Sequence, residues 1–335
     1  MMVVWEEAHH TMTGIRSSAS SGRVQMLAAF AAIYIIWGST YLAIRYAIDT
    51  LPPFLMAGAR FLIAGALLIT WMKLRGAAWP KAIHWRAAAI MGGLLLVGGN
   101  GGVVLAEERV PSSVVAVLIA LVPIWMTLFD WLRPRGEWPG AGVMAGVLLG
   151  FAGVAYLVGP ALFASKGINP VGALIVVAAS MSWAAGSLYG RTAAMPDSPQ
   201  VGTAIEMLAG GALLVVLGML TGEPAQLHLQ AVSVPSLLGL AYLIIFGSLV
   251  AFSAYVWLLR HAAPAHVGTY AYVNPVVAVL LGWGLRGEQL TAHTLIAAAI
   301  IIASVAIITT FRGRASARAK ARTAAMPAIS SSAHE

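Results

Sequence analysis

Apolar stretches of about 20 residues recur along the whole chain, separated by short polar breaks. Ten are distinguished, at residues 24–46, 53–72, 86–106, 112–131, 139–159, 169–190, 200–220, 234–258, 264–285 and 289–311. A helix needs about 20 apolar residues to cross the hydrocarbon core of a bilayer, so each stretch is predicted to be a membrane-spanning helix. Away from the ends of the stretches, only the second and seventh carry a charge, Arg60 and Glu206. The breaks hold turn formers such as Leu51-Pro52-Pro53, Gly136-Glu137-Trp138-Pro139 and Pro196-Asp197-Ser198-Pro199. None is long enough for a soluble domain. Residues 1–23 are polar, with Glu6, Glu7, His9 and His10, and lack the apolar core of a signal peptide. Residues 312–335 are basic, then rich in Ala and Ser, and read as disordered. The fold class is an all-α integral membrane protein.

Composition sharpens this picture. The 335 residues are 60% hydrophobic and 10% charged, against about 25% charged in a soluble domain. A soluble enzyme and a disordered regulator are excluded. A disulfide scaffold is excluded too, because cysteine is absent. The net charge of +8 would suggest nucleic acid in a soluble protein. Here its placement matters more than its size. With the N-terminus in the cytoplasm, fifteen of the twenty Lys and Arg residues fall on the cytoplasmic side, four fall outside, and Arg60 lies within a span. That asymmetry predicts both termini inside and accounts for the charge without nucleic acid. The basic tail is expected to touch anionic lipid.

The chain also repeats itself. A shift of 146 residues lays Trp37 on Trp183, Arg45 on Arg191, Arg60 on Glu206 and Gly65-Ala66-Leu67-Leu68 on Gly211-Ala212-Leu213-Leu214. A shift of 151 lays Gly136-Glu137 on Gly287-Glu288, and one of 152 lays Pro123 on Pro275. The expected organisation is a tail (1–23), a first repeat of five spans (24–160), a second (169–311) and a basic tail (312–335). An odd number of spans inserts the second copy upside down. Inverted repeats build many secondary transporters, with the substrate site at the repeat interface near the midplane.

Polar groups within the spans are the candidate chemistry, because an intramembrane charge is costly. Glu206 is a candidate for a proton or a cationic substrate group, and Arg60 for a carboxylate. Each has an alternative as a buried scaffold charge. Pro123 and Pro275 are predicted helix breaks, freeing the carbonyls of Ile119 and Ala271. His266, Tyr270 and Asn274 form one stripe at helical spacing. Trp37 with Tyr41, and Trp183 with Ser187, are i, i+4 pairs that either line a cavity or simply pack. Asn100 sits within Gly98-Gly99-Asn100-Gly101-Gly102, where small residues favour close helix contact. Glu107 and Glu108, at the end of the third span, are expected to be solvated. The metalloprotease and serine-hydrolase motifs are missing, as is any His and carboxylate cluster at metal spacing. No enzyme activity, metal or cofactor is expected.

Several segments resemble the EamA family of the drug/metabolite transporter superfamily. They are Ile33-Tyr34-Ile35-Ile36-Trp37-Gly38-Ser39-Thr40-Tyr41, Ala57-Gly58-Ala59-Arg60-Phe61, Gly99-Asn100-Gly101, Ala106-Glu107 and Val110-Pro111-Ser112-Ser113. To these are added Ser182-Trp183-Ala184, Glu206-Met207-Leu208, Ser248-Leu249-Val250-Ala251, Tyr270-Ala271-Tyr272-Val273-Asn274-Pro275-Val276 and Gly287-Glu288. The resemblance spans residues 26–311. It implies two inverted five-helix repeats with the fifth and tenth spans at the periphery, as support or as a homo-oligomer surface. It also implies export of small metabolites, amino acids above all, across a bacterial plasma membrane. The cavity positions it implies are Trp37, Thr40, Arg60, Trp183, Glu206, Tyr270 and Asn274. Proton-coupled export of cationic compounds is the alternative within transport. A lipid or lipid-linked sugar flippase is the alternative from another class.

Overall fold

The structure, a computed structural model, describes residues 24–133, 138–163, 168–262, 267 and 269–325. The residues before 24 and after 325, Gly136-Glu137 and His266 lie outside it. Among the described residues there are helices and turns and no strand. The long helices are α1 (Val24–Ala47), α2 (Pro53–Leu74), α3 (Ala82–Glu107), α4 (Ser112–Leu132) and α5 (Ala141–Val158). They continue as α6 (Pro170–Gly190), α7 (Pro199–Leu220), α8 (Val234–Tyr255, helical onward to His261), α9 (Tyr270–Arg286) and α10 (Ala292–Arg314). Among the described residues nine of these are long and apolar enough to cross a membrane; α9, with 17 residues, is the shorter one. The chain is an all-helical, multi-pass membrane protein.

Helix starts follow from local chemistry. Proline occupies the first turn of α2, α6, α7 and α8, where its missing N–H removes no helical bond. Asn169 Oδ1 accepts from Gly172 N at 3.1 Å and Ser233 Oγ from Ser236 N at 3.2 Å, capping α6 and α8. Two further helices are capped by carboxylates from afar. Glu223 accepts from the backbone N–H groups of Phe54 (3.0 Å) and Leu55 (2.8 Å) at the start of α2. Glu288 accepts from Ser112 N (3.0 Å), Ser112 Oγ (2.6 Å) and Ser113 N (3.1 Å) at the start of α4. A negative charge there satisfies orphan donors and complements the helix dipole. Glu223→Ala is therefore expected to lower stability by about 1.5–3 kcal/mol, the worth of hydrogen bonds to a charged group. Thermal melting in detergent checks this, and a melting point equal to wild type would remove the cap from the account.

Two expectations about helix ends are corrected. The segment after 311 is helical as far as Ala325, because its Ala, Arg and Lys are strong helix formers. The two intramembrane prolines also behave differently. α4 is interrupted at Ala120–Leu121, two residues before Pro123. α9 runs through Pro275 without interruption. Pro275 is the sixth residue of α9, so the carbonyl it would free belongs to the first turn, and the loss is confined to the helix start.

Packing returns to itself when each helix is exchanged for the one five places along. α2 lies along α7 and α5 along α10. α3 packs on α6 and α7, as α8 packs on α1 and α2. α4 packs on α6, as α9 packs on α1, and α4 meets α9. The equivalent helices run antiparallel: Gly58 faces Gly211 while Gly65 faces Ala204. Gly142 faces Phe311 while Gly153 faces Ile301, along α5 and α10. Equivalent elements that run in opposite directions make the two repeats inverted. Glycines let the seam close to backbone contact, the geometry that small residues give membrane helices. Leu67, Trp71, Leu280 and Trp283 point outward and are exposed, as lipid-facing residues are.

Candidate functional site

Arg60 and Glu206 are each the eighth residue of a 22-residue helix, α2 and α7. At 1.5 Å per residue each lies about 5 Å from its helix centre, on opposite sides because the helices are antiparallel. Both are buried, with 5% and 6% of their surface exposed. They do not pair with each other. Arg60 Nε donates to Ser248 Oγ on α8 at 2.9 Å, and its guanidinium carbon lies 4.7 Å from the centre of the Phe61 ring. Among the described residues the other guanidinium N–H groups have no acceptor, and Glu206 has no hydrogen-bond donor or ion-pair partner.

α8 supplies the opposite wall. Its Leu243–Val250 stretch is wound as a π-helix, a departure that often accompanies functional sites. Gly247 lies within it. A Cβ there would stand 3.1 Å from Thr40 Cγ2 and 3.2 Å from Arg60 Nη2, so glycine permits α1, α2 and α8 to converge. Trp37 Nε1 donates to the Gly247 carbonyl at 3.1 Å, and Thr40, buried, donates to the Trp37 carbonyl at 2.6 Å. The Trp37 ring meets Tyr255 at 5.1 Å, Tyr270 at 5.3 Å and Phe252 at 6.2 Å. Tyr255 and Tyr270 meet edge to face at 6.0 Å. α7, which carries Glu206, meets the Ala251–His261 part of α8, which carries Tyr255. Tyr41, one turn beyond Trp37, is half-buried against the core. Asn274 is buried on α9. Oriented with its nitrogen toward α1, its amide donates to the carbonyls of Tyr34 (3.2 Å) and Ile33 (3.3 Å). Both belong to a π-turn over Ala32–Ile36.

The expected residues thus divide. Trp37, Thr40, Arg60 and Tyr270 gather at α1, α2, α8 and α9, with Tyr41 and Asn274 beside them. Asn100, Trp183 and Ser187 lie elsewhere, between α3 and α6. There Trp183 packs on Gly99 as Trp37 packs on Gly247, the same arrangement after exchange of halves. Asn100 Oδ1 is buried without a partner among the described residues. Tyr255, Phe252, Gly247 and Ser248 were not among the expected site residues. Ser248 lies in a segment that carries the family resemblance, and the signal for Phe252 and Tyr255 is their spacing from it, i+4 and i+7 along one helix face.

The end where α1, α3 and α9 finish is tied together. Arg286 donates to both Asp49 oxygens at 2.7 and 2.8 Å, joining α9 to α1. Arg45 donates to the Glu107 carbonyl. Glu107 itself is fully buried, contrary to the expectation that it is solvated, because α1, α2, α4 and α6 all close on the end of α3. Glu108 is exposed and pairs with Arg109 at 3.2 Å. At the other end Asp130 on α4 faces Arg312 at 3.0 Å and Arg191, just past α6, at 3.6 Å.

Known proteins share this architecture. The profile of the EamA-like transporter family matches residues 24–159 and again 170–310. The uncharacterized inner membrane transporter YedA of Escherichia coli (strain K12) is 41% identical over 292 residues, covering 85% of this chain and 90% of that protein. The uncharacterized transporter YvbV of Bacillus subtilis (strain 168) is 27% identical, covering 86% and 92%. Protein PecM of Dickeya dadantii (strain 3937) is 29% identical, covering 80% and 88%. A protein of known crystal structure, 24% identical, shares the fold with a TM-score of 0.60 over 86% of this chain and 98% of its own. With one family profile falling on each of two inverted repeats, and buried charges at equivalent depths in their facing helices, the chain belongs to the EamA-like transporter family, a membrane transporter.

Proposed function

We propose that this transporter exports small organic metabolites, amino acids or closely related compounds, across a bacterial plasma membrane by alternating access. The observation that carries the reading is the pair Arg60 and Glu206. One is a buried cation with unused donors, the other a buried carboxylate without a donor. Leaving such groups unmatched is costly. A zwitterion supplies what each lacks, a carboxylate for Arg60 and an ammonium group for Glu206, through charge-assisted hydrogen bonds. Trp37, Tyr255 and Tyr270 give the site its apolar wall. Inverted repeats supply two exchangeable states.

In this reading ten helices span the membrane, in repeats 24–160 and 169–311, and the Lys and Arg distribution puts both termini in the cytoplasm. The names of the family and its relatives favour a transporter over an enzyme. The paired α5 and α10 offer an outer face for a second copy. A second reading, proton-driven export of cationic compounds, is favoured by a buried carboxylate, Glu206, on a helix that meets the helix carrying Phe252 and Tyr255, since aromatic faces attract cations.

The test is efflux from liposomes holding the purified protein, loaded with labelled amino acids and cationic dyes, with and without a pH gradient. Saturable amino-acid efflux is expected. Dye efflux driven only by the gradient would replace the first reading with the second, and no flux of either would end both.

A further inference from the structure

Glu107 is a buried carboxylate that the proposed substrate site does not use. It is the last residue of α3, fully buried, and neither of its carboxylate oxygens has a hydrogen-bond partner among the described residues. Charged groups surround it, Arg45 and Arg286 attracting its charge and Glu288 repelling it, but none donates a hydrogen bond to its carboxylate. On α1, Arg45 donates to the Glu107 backbone carbonyl rather than to the carboxylate. Arg286 at the end of α9 spends both arms of its fork on Asp49. Glu288, just past α9, is held by three donors at the start of α4 and adds a second negative charge. Tyr41 on α1 lies within electrostatic reach. Glu108 and Arg109, next in sequence, pair with each other in the exposed turn. The described parts of α4 and α6 at this end contribute no ionisable side chain, and the start of α2 contributes none of its own.

An ionised carboxylate removed from water with no donor carries a penalty of several kcal/mol, to which Glu288 adds and which the Arg45 and Arg286 charges offset only in part. A proton cancels it at once and needs no room. We propose that Glu107 is a proton-binding site, filled when the end of the bundle sealed by Asp49 and Arg286 is closed. Opening that end parts α9 from α1, admits water to the α3 terminus and lets Glu107 release the proton to that water. Closure takes one proton back from the same side, forming the carboxylic O–H. No other bond changes. The site is separate from Glu206, which is the eighth residue of α7, whereas Glu107 is the last residue of α3. The inference rests on the transport reading above and adds to it a titrating group that senses the pH at one end, since a proton released and regained on the same side does no transport work.

The experiment reads the proton directly. In purified wild-type protein the infrared carboxylic-acid C=O stretch is expected, and Glu107→Gln should remove that component while the protein still elutes as a folded species. A band unchanged by Glu107→Gln overturns the proposal. Dicyclohexylcarbodiimide, which attacks protonated carboxyls in apolar surroundings, supplies a check that needs no variant. Mass spectrometry of the wild type should find its adduct on the peptide containing Glu107, diminishing as pH rises. No adduct at any pH counts against the site. In liposomes Glu107→Gln should keep exchange at acidic pH within about twofold of wild type and flatten by at least tenfold the dependence of flux on the pH facing the end closed by Asp49 and Arg286. If wild type itself carries no substrate at any pH, the transport reading fails, while the infrared and carbodiimide results still decide on Glu107.

Discussion

Gly211→Val should abolish accumulation of folded protein. Gly211 stands where α2 and α7 touch, and a Cβ there would lie 2.9 Å from the backbone nitrogen of Leu62 and 3.1 Å from the Gly58 carbonyl. Main chain cannot swing aside as a side chain can. Overpacking a core commonly costs about 1–3 kcal/mol, and here the intruding group meets backbone on both sides. Gly65 on α2, 2.9 Å from the Ala204 carbonyl, and Gly92 on α3, 2.7 Å from the nitrogen of Gly210, should behave alike. Gly284, with nothing within 4 Å of its would-be Cβ, is the control. Elution profile and melting temperature in detergent read the outcome. If Gly211→Val melts with Gly284→Ala, the seam is looser than these distances say.

The second large effect is on transport. Arg60→Gln and Glu206→Gln are expected to express and melt like wild type, since neither wild-type side chain makes an ion pair among the described residues. Removing an uncompensated buried charge does not destabilise, and often stabilises. Flux should fall about 10- to 100-fold for each, matching the ~1.5–3 kcal/mol of one charge-assisted hydrogen bond. For Arg60→Gln the loss should be greatest with substrates that carry a carboxylate. For Glu206→Gln it should be greatest with those that carry an amine. Normal flux at equal expression would make both residues scaffold.

Much of this was legible before any coordinates. Span length alone gives the helices, because lipid admits few other solutions. The shift of 146 residues pairs Arg60 with Glu206 directly, and the odd number of spans per repeat implies inversion, which the antiparallel contacts of Gly58 and Gly65 carry through. Less legible were features that depend on where helices meet. Tyr255 and Phe252 lie in a helix whose neighbours are nearly all apolar, so no contrast of polarity marks them. They join Trp37 only because Gly247 lets α8 approach α1. Glu107 sits beside Glu108 and Arg109 at a helix end, where solvation is the natural reading. Its burial comes from four other helices. Pro123 and Pro275 give the same local signal, and only their distance from a helix start separates an interruption from an unbroken helix. After residue 311, composition suggested disorder, but the helix propensity of Ala, Arg and Lys prevails as far as Ala325.

A packing scheme that maps onto itself has an energetic corollary. If the first half takes on the shape of the second and the second that of the first, each helix contact is exchanged for its counterpart, and the inverted arrangement keeps the same packing scheme. The gap between the two forms is then set only by positions at which the halves differ. Asp49 and Arg286 form a two-bond fork at 2.7 and 2.8 Å, whereas at the opposite end Asp130 and Arg191 stand 3.6 Å apart. Each such mismatch biases the balance by its own small amount. In the alternating-access reading proposed above, a substitution at Asp49, Asp130, Arg191 or Arg286 is expected to change how long the protein dwells in each form.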